Sequence, residues 1–235
     1  MNGPERNWYA LLSWMTVYAI AMALLESAVV VYLRALYYPG GFSFPLGSID
    51  PGIATTESCR EVATLVMLFA PGAMVSRSGL QRFAWFAYCF GIWDIFYYVF
   101  LKLLLDWPAS LLEWDLLFLV PTPWVGPVWV PLLISVGLVL LALIILHGAN
   151  AAGRLAPDLI AWVLLLSSAF LFLASFTVEP IRWLSAAGEP LFGTAAVNAF
   201  LNGFVPAWYP WPLALAGVVS GAAGLLRLSV RAIGR

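Results

Sequence analysis

Residues 125–146 read Val-Gly-Pro-Val-Trp-Val-Pro-Leu-Leu-Ile-Ser-Val-Gly-Leu-Val-Leu-Leu-Ala-Leu-Ile-Ile-Leu, and no side chain among them is charged. A bilayer's hydrocarbon core is crossed by about 20 such residues in helical form. A helix that is apolar on every side has no face to offer water. The stretch is therefore read as a transmembrane helix, and it sets the class of the whole chain.

Working outward, five more runs fit the same template: Trp8–Leu36, Cys59–Val75, Arg82–Leu105, Leu159–Val178 and Val205–Leu226. Ala19-Ile-Ala21-Met-Ala23 inside the first run resembles a leader cleavage site. The run continues apolar through Val29-Val30-Val31, however, so it is read as a retained span. Composition agrees. Of 235 residues, 63% are hydrophobic and only 10% charged, against about 25% charged in a soluble domain. The expected fold is an all-α, polytopic membrane helix bundle of six spans forming one integral membrane domain, 1–235.

Segment 107–124 is bracketed by Trp107 and Trp124 and interrupted by Pro108 and Pro121. Too short to span between its prolines, it is expected to form a short interfacial or re-entrant helix at about 109–120. Residues 186–204 suggest a second surface helix. Ser58-Cys-Arg-Glu61 and Ser110-Leu-Leu-Glu113 have capping-box spacing and would open the second span and the short helix. In the last span, Gly217 and Gly221, and Ser220 and Gly224, form small-xxx-small pairs suited to helix packing.

Eleven cations set the expected orientation. Arg6, Arg77, Arg82, Arg154, Arg227, Arg231 and Arg235 fall at one face; Arg34, Arg60, Lys102 and Arg182 fall at or near the other. The positive-inside rule then places both termini in the cytoplasm. With compact loops and little mass outside the spans, a bacterial inner membrane is the expected home.

The residue inventory narrows the chemistry. His147 is the single histidine, and Cys59 and Cys89 are the only cysteines. Bis-histidine haem, an iron–sulfur cluster and a zinc centre all need more ligands than these within one chain. The single lysine, Lys102, lies near a span end, which disfavours retinal. A net charge of −1 without a basic run gives no nucleic-acid footprint. The partners expected are the lipid bilayer and, if the chain is a subunit, other membrane proteins.

Ionisable side chains within spans carry the functional expectation. Glu26 and Asp94 lie ten and eleven residues short of the outer ends of their spans, ~15 Å below the interface at 1.5 Å per residue. Asp94, Tyr98 and Lys102 follow an i, i+4, i+8 stripe, as do Glu26, Val30 and Arg34. Arg60 and Glu61 open the second span, and Asp115 sits on the short segment above. The expected site is thus an outward-facing polar cluster of Glu26, Arg34, Arg60, Glu61, Asp94, Tyr98, Lys102 and Asp115. Six of the eight also have a plainer role open to them. Arg34 and Lys102 can snorkel to headgroups, Glu61 can cap, Asp115 can be solvated, and Glu26 and Asp94 can be neutral structural acids.

Glu57-Ser-Cys-Arg-Glu61, Pro71-Gly72 and Ser76-Arg77-Ser78-Gly79 together resemble fragments of the undecaprenyl-pyrophosphate phosphatase family. Three residues separate Pro-Gly from Ser-Arg-Ser where that family has one. Glu61 and Ser76 would also stand ~22 Å apart along one helix, at opposite faces of the membrane. The match covers about twenty residues, and membership is rejected.

Three functional readings follow. The first is an accessory or scaffolding subunit of a membrane complex. The second is a small proton- or ion-coupled transporter or channel, with Glu26 and Asp94 sharing a proton. The third is a membrane-embedded enzyme acting on a lipid headgroup at the outer leaflet, with a divalent cation held by the carboxylates. Without an organised nucleophile, the chain leans away from an enzyme.

Overall fold

The computed structural model describes residues 8–76, 78–151 and 157–233. Arg6, Arg77, Arg154 and Arg235, four of the cations used above for orientation, lie outside the described residues. Seven helices and one hairpin make up the described chain: α1 (Trp8–Tyr37), α2 (Pro51–Val75), α3 (Gly79–Leu105), β1 (Trp114–Phe118), β2 (Trp124–Pro127), α4 (Trp129–Ala151), α5 (Leu159–Ala186), α6 (Gly193–Gly203) and α7 (Trp211–Ile233). Six of the helices, all but α6, are long and apolar enough to cross a membrane. The chain is a multi-pass integral membrane protein embedded in lipid.

The helix ends follow local chemistry. Asp50 accepts the backbone N–H groups of Gly52 (2.8 Å) and Ile53 (3.2 Å), and Pro51 opens α2. Pro at the first position sacrifices an N–H that has no partner there anyway. Helix α2 therefore begins eight residues before the expected Cys59. Ser58 is not its cap, but an interior residue bonded to the Ala54 carbonyl at 3.0 Å. Ser78 caps α3 through the Gln81 N–H (3.1 Å), and the left-handed backbone of Asp106, φ 52°, stops that helix. Helix α5 runs through Pro180 to Ala186, eight residues past the expected end. The expected surface helix is α6, shorter than 186–204.

One expectation is overturned. Residues 109–120 form no helix; 114–127 is an antiparallel hairpin, with Trp114 opposite Pro127, Asp115 opposite Gly126, Leu116 opposite Val125, and a bulge before Phe118 meets Trp124. Pro121-Thr122-Pro123 leaves two residues of the turn without an N–H donor, which suits a strand reversal and defeats a continuing helix. The hairpin is nevertheless re-entrant. The Phe118 ring packs on Phe90, 6.5 Å between centroids, and Phe90 lies fifteen residues, ~22 Å, below the end of α3. The last turn of the hairpin thus reaches the middle of the bundle.

Helix α3 is the hub, packed on α1, α2 and α4; α4 bridges to α7, which lies along α5. Two places show why these pairs approach so closely. A Cβ on Gly91 would fall 2.6 Å from the Ser135 carbonyl oxygen and 2.8 Å from Val139 Cγ2, so α3 and α4 touch backbone to backbone there. The small residues of α7 meet α5. Gly221 faces Ser168, the Ser168 hydroxyl donates to the Gly217 carbonyl (2.8 Å), and the Ser220 hydroxyl donates to Leu164 (2.8 Å). The small-xxx-small spacing is thus a packing seam.

The two largest apolar cores lie toward opposite ends of the bundle. At the end where the chain enters α1, Met15, Ala19, Met22, Ala23, Leu68, Trp85, Tyr88, Leu141 and Ile145 are buried together. At the hairpin end, Leu46, Leu119, Val125, Leu184, Phe200 and Phe204 form a second core under α6. Cys89 is buried in the first core and Cys59 is exposed; both are free thiols. The bundle end opposite the hairpin is clamped by Asp158, which caps α5 through the Ala161 N–H (3.0 Å) and bonds Arg227 and Arg231 of α7 (each 2.6 Å).

Two measurements follow. Gly91→Ala should lower the unfolding free energy in micelles by about 1–3 kcal/mol, as overpacking does, whereas Gly137→Ala, where an added Cβ meets nothing within 4 Å, should not. The hydrogen bonds from Arg227 and the Ala161 N–H hold the Asp158 carboxyl well below the usual carboxylate range. A depressed native pKa stabilises the fold above the unfolded value of about 4, and that stabilisation is lost as pH falls through the native value. Asp158→Asn should therefore lower the melting temperature at neutral pH, and the gap to the parent should close on acidification below about pH 4.

Candidate functional site

Between the two cores lie two cavities of about 110 Å³ each, and both are lined by Glu26, Arg60, Glu61, Tyr97 and Asp115. The deeper adds Thr64, Trp93, Asp94, Tyr98, Trp124 and Ser135; the shallower, toward the hairpin end, adds Arg34, Tyr38, Phe42 and Glu57. Seven of the eight side chains expected from the sequence therefore line this pair of cavities. The exception is Lys102.

Most of the charges find partners on neighbouring elements. Glu26 on α1 bonds the Arg60 guanidinium of α2. Thr64, one turn on from Arg60, adds its hydroxyl to Glu26 at 3.3 Å. Arg60 reaches Glu57 with a second nitrogen, and its Nε donates there at 2.9 Å, so one guanidinium holds two carboxylates. Glu61 is not a helix cap. Both its oxygens accept the Leu119 N–H, at 3.0 and 3.1 Å, just past the hairpin bulge. That backbone donor has no strand partner, and α2 supplies its acceptor.

On α3, Asp94 accepts the Ser135 hydroxyl of α4 at 2.8 Å. Ser135 is the residue whose carbonyl crowds Gly91, so the close approach of the helices also brings the hydroxyl within reach of the acid. One turn above, the Tyr98 hydroxyl donates to Asp115 at 2.9 Å, and the Leu116 N–H donates to the same carboxylate at 3.0 Å. Asp115 is buried, not solvated. Glu26 and Asp94 line one cavity without bonding each other. Lys102 turns instead to Asp106, 2.7 Å, and to the Pro108 carbonyl, 3.2 Å, and lines a separate pocket with Tyr98.

Arg34 is the least conventional member. It neither snorkels nor pairs with Glu26. Its guanidinium lies over the rings of Phe42 and Trp107, 4.1 and 4.0 Å from their centroids, and its buried Nε has no hydrogen-bond partner among the described residues. Trp93 and Trp124 likewise leave buried indole N–H groups unpartnered, and both line the deeper cavity. Nearby, burial pushes the Tyr38 phenol up to about 12, so it stays a neutral donor on the shallower cavity.

The walls thus carry five acids, Glu26, Glu57, Glu61, Asp94 and Asp115, against two cations, Arg34 and Arg60. Among the described residues, no three His, Cys, Asp or Glu side chains converge as metal ligands. Sequence reading did not place Thr64, Trp93, Trp124 and Ser135 at the site. Positions 57, 60, 61 and 64 follow helical spacing on one face, and Ser135 is a lone hydroxyl within an apolar run, so part of that signal was present. The aromatic contributions depend on the hairpin.

No family model, curated protein or solved structure matches this chain. The functional reading therefore rests on the geometry of the cavities.

The Glu61–Leu119 bond offers a direct test of the site's construction. Glu61→Ala leaves a buried N–H without an acceptor, which costs about 1–3 kcal/mol. Amide hydrogen exchange at Leu119 and along 114–127 should accelerate, while Glu61→Gln, which retains one acceptor oxygen, should show a smaller change.

Proposed function

We propose that the protein is a small proton-coupled carrier, with Glu26, Glu61, Asp94 and Asp115 as proton-accepting groups of a cavity that opens toward the hairpin end. The observation that carries this reading is the imbalance of five acids against two arginines around two adjoining cavities. An excess of ionised carboxylates is not sustained in a low-dielectric interior, and protonation is the usual relief. Cavities of about 110 Å³ each hold a few waters, at ~30 Å³ apiece. Water at that position links the carboxylates to the aqueous phase.

Two further features favour a carrier over the other readings. Below the deeper cavity the bundle is filled by Met22, Ala23, Tyr88, Leu141 and Ile145. A channel needs a path through that half, whereas a carrier closes it between exchanges. The re-entrant hairpin is non-helical backbone at membrane depth, a feature that lines solute sites in transporters. An accessory subunit gains nothing from a buried excess of acids. With Lys102 directed away, the cluster also loses a cation that a headgroup enzyme would use for phosphate. In this reading the hairpin end faces outward, with both termini in the cytoplasm of a bacterial inner membrane.

The test is proton entry into vesicles containing an internal pH dye, after acidification of the medium with the membrane potential clamped by potassium and valinomycin. Parent protein should acidify the lumen faster than protein-free vesicles do. Asp94→Asn should slow that entry by roughly a hundredfold, the lower end of what one positioned proton-transfer group contributes. Protein vesicles no faster than empty ones, or an unaffected Asp94→Asn, overturn the reading.

A further inference from the structure

Resting on that carrier reading, the geometry points to a solute class: we infer that the shallower cavity takes a small amino-acid-like zwitterion, its carboxylate on Arg34 and its ammonium group on the acids opposite. Arg34 lines this cavity together with Glu26, Glu57, Glu61 and Asp115. It is buried, its Nε has no hydrogen-bond partner, and its guanidinium forms no ion pair among the described residues. A buried guanidinium is costly unless its donors are met. Cation–π contact with Phe42 and Trp107, whose ring centroids lie 4.1 and 4.0 Å away, offsets part of that cost but supplies no hydrogen-bond acceptor. Its N–H groups lie in the guanidinium plane and still call for an acceptor. A guanidinium edge is a fork matched to a carboxylate.

A bare anion would satisfy Arg34 while adding negative charge to a site that already has an excess of acids. A bare cation would relieve the acids and leave Arg34 unmet. A molecule with both charges a few ångströms apart answers both at once. The cavity also limits size, since about 110 Å³ suits a molecule of a handful of heavy atoms. Asp115 is the acid best placed to receive the ammonium group. Tyr98 and the Leu116 N–H hold it in position, and no guanidinium bonds it, whereas Glu26 and Glu57 are already engaged by Arg60. Tyr38 and Tyr97 line the same cavity.

The probes are glycine and L-alanine, with acetate and methylammonium as the two separated halves, added at constant ionic strength to the full-length protein in lipid nanodiscs. The readout is the thermal unfolding midpoint followed by tryptophan fluorescence. Glycine or L-alanine should raise the midpoint saturably, by more than acetate and methylammonium together. Arg34→Gln, which keeps a polar side chain but removes the charge and the guanidinium fork, should weaken half-saturation by roughly tenfold or more. Asp115→Asn should do the same for the amino acids while leaving the weak response to acetate. No response to either amino acid, or an equal response to acetate alone, overturns the inference, and these outcomes are read on the parent protein even if a variant fails to fold. Proton entry without solute, measured on the same parent preparation, separates the two ideas. Entry without amino-acid binding removes the zwitterion alone, and binding without entry removes the proton-coupled reading alone.

Discussion

A backbone N–H buried at membrane depth must find an acceptor inside the protein, and the arrangement of this molecule turns on how one such group, on Leu119, is met. The hairpin passes among helices that supply no sheet edge, and its bulge leaves this donor facing α2. Glu61 answers it with both oxygens. Once the hairpin is held there, Asp115 is fixed under Tyr98 and the Phe118 and Trp124 rings close over the deeper cavity. The hairpin turns a bundle of apolar helices into one with a lined interior. Removing it would leave the acids facing lipid.

The second organising contact is the Arg60 guanidinium between Glu26 and Glu57. It ties α1 to α2 at the level where both would otherwise bury unpaired charge. Paired this way, two acids and one base still sum to a negative charge, and Asp94, Glu61 and Asp115 add to it. Neutral hydroxyl and amide donors hold these last three acids in position without balancing them. The site is therefore well ordered sterically and unbalanced electrically, a combination that structural packing alone does not require.

Much of this was legible in the chain. The six spans follow from apolar runs longer than the hydrocarbon is thick, and seven of the eight expected site residues line the two adjoining cavities. What could not be read was who partners whom. Matched depth in two spans suggested Glu26 with Asp94. The bundle instead brings Arg60 of α2 to Glu26 and Ser135 of α4 to Asp94. The hairpin was hidden for a related reason. Its residues are aromatic and apolar like those of a short helix, and only the prolines of 121–123 hinted that the chain turns back. A strand pair draws its stability from cross-strand and same-face neighbours, here Phe90, Phe176 and Tyr209, which lie far away in sequence.

The contact between Gly91 and Ser135 has a mechanical consequence. With backbone against backbone, helices α3 and α4 have no soft side-chain layer there through which to shear, and sliding one past the other by a turn would drive a carbonyl into a chain with no room for it. The contact works as a fulcrum. Any rearrangement around the acids is thereby restricted to tilting about that point or lifting of the hairpin. In either, Asp94 would keep its Ser135 partner at the pivot, while Asp115, carried on the hairpin, would part from the Tyr98 hydroxyl.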